Sequence, residues 1–103
     1  MNVQEEREFR RFLEGIVLPN GRQLTENGIQ CRITNSHACE RLLGYSFETA
    51  VASDVAMCRA LLRVHDSGED RNGRLSNPLR KYYEMRTGRL FPRLADARIL
   101  LGN

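Results

Sequence analysis

Lysine is almost absent from this chain: one Lys, at position 81, stands against 15 Arg in 103 residues. A GC-rich coding sequence would explain Arg in place of Lys, but not where the cations sit along the chain. Paired cysteines are also missing. Cys31, Cys39 and Cys58 are an odd number with no CxxC spacing, which excludes a disulfide framework and the usual zinc ribbons and fingers. No apolar run approaches the length that crosses a bilayer, and no secretory signal precedes the first helical pattern. The expectation is a reduced, cytoplasmic setting without a membrane. The segment from Gly68 to Gly73 is the nearest approach to a glycine-rich phosphate loop, but it lacks the Lys-Ser/Thr that follows in a P-loop. Internal repeats and low-complexity tracts are absent.

What remains is an ordinary globular composition, 41% apolar and 28% charged, on a chain long enough for one domain with one modest core. The charges divide it. Up to Asp70 there are 8 Arg against 11 acids, a balance of −3; from Arg71 onward 7 Arg and Lys81 face only Glu84 and Asp96, a balance of +6. The overall formal charge of +3 hides this split.

Apolar periodicity predicts helices over 4–14, 25–43, 54–65 and 77–87. In the first, Phe9, Phe12, Leu13 and Ile16 recur at i, i+3, i+4 and i+7 among charged residues. Leu18-Pro-Asn-Gly21 marks a turn, with a very short hairpin of 16–18 against 22–24 allowed around it. Thr25 caps the second helix, whose apolar stripe is Ile29, Ile33, Ala38, Leu42 and Leu43, widened by Cys31 and Cys39; Gly44 ends it. Residues 46–51 read as a single turn. Ser53 caps the third long helix, with Val55, Cys58, Leu61, Leu62 and His65 on one face. Residues 66–73 read as a polar loop. Ser76 is taken as the cap of the fourth, with Pro78 in its first turn, Leu79, Tyr82 and Tyr83 inside, and Arg80 paired to Glu84 at i, i+4. A short fifth helix is allowed over 93–101, limited by Pro92. The sum is an all-α, compact four-helix bundle with that optional addition.

The basic segment supplies the binding candidates. Phosphates require long cations with solvent reach, and Arg holds them bidentately. Arg80, Lys81 and Arg86 on the fourth helix qualify, flanked by Arg71, Arg74, Arg89 and Arg93. Asn77 at the helix start offers a further donor, and Arg22 and Arg32 offer similar cations around the second helix. Tyr82 and Tyr83 fit the core better than a base-stacking platform. His37 with Cys39, and Cys58 with His65, have no metal-ligand spacing. His65-Asp66 does not converge on a substrate. No metal, cofactor or enzymatic activity is expected.

The order of elements resembles a known family. Phe12-Leu-Glu14 ends the first helix, Leu24-Thr25 opens the second, and Cys39-Glu-Arg-Leu-Leu-Gly44 closes it. Ser53-Asp54 opens the third, and Asn77-Pro-Leu-Arg-Lys-Tyr-Tyr83 begins the fourth. Over roughly residues 4–90 this pattern resembles the N-terminal core-binding domain of tyrosine recombinases, the SAM-like fold of phage integrases. The resemblance implies a SAM-like bundle that lays its second and fourth helices on DNA, in a phage or mobile-element setting. The catalytic domain of that family, with its Arg/His/Arg constellation and tyrosine nucleophile, has no counterpart in these residues. Tyr45, Tyr82 and Tyr83 therefore inherit no catalytic role. The first expectation is a non-catalytic module for duplex DNA. The second is a helical adaptor that binds a protein or, acidic part to basic part, another copy of itself.

Overall fold

Asn2 opens the first helix with a reciprocal cap: its side chain accepts from Glu5 N while the Glu5 carboxylate accepts from Asn2 N, each at 2.8 Å. The computed structural model describes residues 1–91 and 94–102, without the side chains of Leu94 and Asp96. Its helices are α1 (Val3–Glu14), α2 (Glu26–Leu43), α3 (Phe47–Ala50), α4 (Asp54–Asp66), α5 (Ser76–Thr87) and α6 (Leu94–Leu100), with a 3-10 turn over Arg71–Gly73 before α5. The protein is all-α, as periodicity predicts. The hairpin allowed around Pro19 reduces to one bridge, Val17 to Gln23. Part of the fifth helix expected over 93–101, Arg93 included, lies outside the described residues.

Local chemistry explains most boundaries. Thr25 and Ser53 accept from Gly28 N and Ala56 N at 3.0 Å, capping α2 and α4. Gly44 and Gly88 end α2 and α5 in the left-handed region, at φ 85° and 72°, where a side chain would strain the backbone.

The start of α5 departs from expectation. Ser76 is the first helical residue rather than its cap, and the preceding Leu75 gives no side-chain cap. The acceptor comes from the supposed polar loop: Asp70 Oδ1 takes Leu75 N at 2.8 Å and Ser76 N at 3.0 Å. Burial pushes the Asp70 carboxyl up, but bonds from Ser76 and Leu75 and the nearby Arg74 charge together hold it below its ordinary value. Asp70→Ala is expected to cost about 1 kcal/mol, the usual value of a lost cap, or roughly 4–8 °C in a thermal melt. Because the folded value is depressed, this contribution is present above the unfolded value and lost as pH falls through the folded one. The gap between wild type and Asp70→Ala should therefore close below about pH 4.

The helices share one core. α2 packs on α1, α4 and α5, while α4 also packs on α3, α5 and α6. Its centre is aromatic: Tyr82, 0% exposed, meets Phe9 edge-on at 5.3 Å and Phe47 at 5.5 Å. Tyr83 stacks edge-on with Phe91 at 4.9 Å. Two expected stripes are re-phased. Cys31 is exposed, because the buried positions of α2 are Ile29, Ile33, Ser36, Cys39 and Leu43, and position 31 falls between turns of that series. On α4 the buried residues are Met57, Cys58, Ala60, Leu61 and Val64, whereas Val55 is 46% exposed and His65 lies outside. A helix packed against four neighbours buries a broad arc, and a one-stripe reading misplaces its centre.

Candidate nucleic-acid interface

Helix α5 has two chemically opposite faces. Pro78, Leu79, Tyr82 and Tyr83 point inward and are at most 2% exposed. Asn77, Arg80, Lys81 and Glu84 occupy the other arc, as i, i+3, i+4 and i+7 spacing requires. Because α5 packs on α2, that arc faces Arg32 across a groove. After Gly88 the chain folds back and closes the far side with Leu90 and Phe91. The groove has a volume of about 420 Å³ and is lined by Arg32, Asn77, Arg80, Lys81, Glu84, Leu90 and Phe91. Four residues proposed from sequence, drawn from two helices, thus converge on one concavity.

Backbone and side-chain bonds hold the cations in place. Arg32 Nη1 donates to Gly28 O at 3.0 Å, and Arg80 Nη1 donates to Phe91 O at 3.2 Å. The second bond fastens the groove's closing wall to α5. Lys81 Nζ donates to Glu84 Oε2 at 3.1 Å, so Glu84 pairs one turn back with Lys81 rather than with Arg80. Burial pulls Arg80 below the ordinary arginine value while the Asp70 charge opposes this; a guanidinium stays charged throughout. Leu90 is 78% exposed at the rim, and Phe91 is buried on Tyr83. A partly desolvated set of cations beside an apolar wall attracts an anion more strongly than the same charges in open water.

The remaining candidates divide by position. Arg86 is exposed on the Tyr82 side of α5, one turn beyond that ring, and bridges three elements: Nη1 to Glu8 Oε2 at 2.6 Å, Nε to Glu48 Oε1 at 2.5 Å and Nη2 to Tyr82 Oη at 3.1 Å. Burial alone would lower Arg86, yet the bonds to Glu8, Tyr82 and Glu48 leave it raised, and the Arg86 bond is the largest cause holding Glu8 below its ordinary value. This guanidinium is a clamp between α1, α3 and α5, not a groove cation. Arg89 sits over the Tyr83 ring at 5.8 Å, with Nη2 at 3.5 Å from Asp54 Oδ1. Arg71 and Arg74 are exposed before α5, and Arg22 is exposed in the turn after α1. None of these five lines the groove, and Arg93 lies outside the described residues. The α5 N-terminus is unsuited to phosphate, because the Asp70 carboxylate already takes its first amides; Asn77 contributes through its side chain, which lies against Gly73.

Sequence reasoning missed Glu84 as a groove member, the wall formed by Leu90 and Phe91, and the cap from Asp70. The i, i+3 spacing of Lys81 and Glu84 was a usable signal. The other two depend on how the chain turns after Gly88 and before Leu75. Elsewhere, Tyr82 Oη bonds Glu48 and Tyr83 Oη donates to Asp54 Oδ1 at 2.7 Å, so both rings are core residues with hydroxyls at the rim. Burial raises the Cys58 thiol and pushes Cys39 up to about 12, so neither is a ready thiolate. Among the described residues no cluster of three His, Cys, Asp or Glu could hold a metal ion, and no helix is long and apolar enough to cross a membrane.

Fold and site together define a small all-α bundle with a cationic groove between its second and fifth helices. No protein-family model, no curated protein and no solved structure matches this chain. The resemblance to the recombinase core-binding domain therefore rests on the residue pattern alone.

Proposed function

We propose that this chain is a non-catalytic module that binds duplex DNA, holding backbone phosphates at the groove between α2 and α5. The observation that carries the reading is the convergence on one concavity of Arg80, Lys81 and Asn77, from the segment with the +6 balance, and Arg32 from α2. Exposed Arg71 and Arg74 extend the positive field along the approach to α5. Contacts of this type position a protein on the duplex without reading bases, so affinity should depend on salt far more than on sequence. The test is fluorescence anisotropy with a labelled mixed-sequence duplex at several salt concentrations. Three phosphate contacts predict a slope of log affinity against log salt of about −2.7, at roughly −0.9 per contact. No binding at low salt would refute the reading.

A second reading, a self-associating adaptor, is favoured by a different surface. Ile99 and Leu100 on α6 are 72% and 55% exposed. A concavity of about 740 Å³ lies at the α6 end, where Leu42, Tyr45, Leu62 and Leu101 meet the polar Arg59, Arg63, Asp66 and Ser67. An apolar patch of this kind suits a protein partner. Self-association predicts a dimer in multi-angle light scattering, and a strict monomer across protein and salt concentrations would exclude it.

A further inference from the structure

Lys81 and Glu84 line two concavities. Toward α2 they belong to the groove described above; toward α1, which also packs on α5, they line a second recess of about 490 Å³. The pair, joined at 3.1 Å, is the boundary that the two concavities share. The chain at the end of α1 supplies the rest of the second recess. Half-buried Phe12 and Ile16 give it an apolar floor, Val17, 64% exposed, stands at its rim, and Arg11 adds a cation.

Arg11 differs from the cations of the groove. Arg32 is bonded to Gly28 O, Arg80 to Phe91 O with the Asp70 charge acting on it, and Lys81 to Glu84. The neighbouring Arg10 is spent on Glu26 at 2.8 Å and Gln30 at 2.6 Å. Arg11 is exposed and makes no ion pair or side-chain hydrogen bond among the described residues. Glu8, one turn back, feels its charge, but that carboxylate is engaged by Arg86 at 2.6 Å. A guanidinium with all its donors available, set beside an apolar floor, suits one phosphodiester, whose pair of free oxygens fits the guanidinium fork.

We infer that the recess toward α1 is a second backbone-phosphate subsite with Arg11 as its cation, so that the DNA backbone crosses α5 over Lys81, from Arg32 on one side to Arg11 on the other. This rests on the DNA-binding reading above and extends it into the part of the chain whose formal balance is −3, where charge alone points away from DNA. It also gives Glu84 a role: bordering both subsites, its carboxylate opposes the phosphates and limits affinity.

The test is anisotropy of a labelled mixed-sequence duplex with single variants across a salt series. Arg11→Gln breaks no bond, so the thermal melt should match wild type. It should weaken binding about fivefold at low salt and flatten the slope of log affinity against log salt by about 0.9, one contact beyond those of the groove. Adding Arg32→Gln should flatten the slope by about 1.8 in total, since the two cations serve separate phosphates. Arg7→Gln is the control. Arg7 is an exposed cation one turn before Arg11 that lines neither concavity, and its loss should change affinity by less than about twofold. Glu84→Gln should tighten binding about threefold. Equal effects of Arg7→Gln and Arg11→Gln, or weaker binding by a folded Glu84→Gln protein, would overturn the inference and leave the DNA-binding reading standing. Absence of binding by the wild-type protein at low salt would overturn both.

Discussion

Arg32→Glu combined with Lys81→Glu should weaken duplex binding at low salt by at least about a hundredfold and flatten the salt slope by about two contacts. These two cations come from opposite walls of the groove, and reversing both turns the balance of its described lining from +2 to −2. The pair suits the experiment better than Arg80, which also fastens Phe91 O to α5. The fold should tolerate the change. Arg32 gives up one bond to a backbone carbonyl of its own helix, and Lys81→Glu exchanges an i, i+3 attraction for a repulsion of roughly 0.2–0.5 kcal/mol. Circular dichroism should show full helicity and a melting point within about 5 °C of wild type. Arg86→Met is the informative control. It removes an equally basic residue from the same helix, but one bonded to Glu8, Glu48 and Tyr82. It should lower the melting point while leaving affinity within about threefold when the protein is folded. If Arg86→Met abolished binding in a folded protein while the groove variant bound normally, the assignment of roles along α5 would be reversed.

Tyr82→Ala should remove most of the stability of the protein, about 3–5 kcal/mol out of a typical 5–15. Tyr82 is fully buried where α1, α3 and α5 meet, between the rings of Phe9 and Phe47, with Arg86 over its face at 5.3 Å. Truncation leaves a ring-sized cavity lined by two aromatic side chains that cannot both collapse into it. It also withdraws the hydroxyl that Glu48 and Arg86 share. Tyr82→Phe separates the two effects: the packing stays, Glu48 and Arg86 remain paired, and the cost should be about 1 kcal/mol. Urea denaturation of the three proteins gives both differences. A loss below about 1 kcal/mol in Tyr82→Ala would mean that this ring is not the centre of the core.

The helices and some of their caps are legible because the signals are local. Thr25, Ser53, Gly44 and Gly88 act within a turn of themselves, and Phe9 with Leu13 or Leu79 with Tyr82 state the inward face by spacing alone. The wide faces were not. A helix such as α4, covered by α2, α3, α5 and α6, obeys no single stripe, so spacing alone puts His65 and Val55 inside and passes over Met57 and Val64. Asp70 illustrates a second limit: it caps a helix from five and six residues away, and only the path of the intervening 3-10 turn brings it there. For the groove, the charge split singles out the segment that holds α5 but treats its cations as one set. Their division follows from angle around α5. Arg86 falls one turn beyond Tyr82, exposed at the edge of that side and within reach of Glu8 and Glu48, whereas Arg80 and Lys81 fall opposite. That much was available from helical spacing. Which side chain of α2 would face them, and that Leu90 and Phe91 would close the groove, required the packing of α2 on α5.

The most direct test of the central claim is a titration of the isotope-labelled protein with a short mixed-sequence duplex, followed through the arginine Nε–Hε resonances by two-dimensional NMR. If the groove binds the phosphates, the Arg32 and Arg80 signals shift progressively with DNA while Arg86, held by Glu8 and Glu48, stays in place. Movement of the exposed Arg22 and Arg89 signals alone, with Arg32 and Arg80 unmoved at saturating DNA, would contradict it.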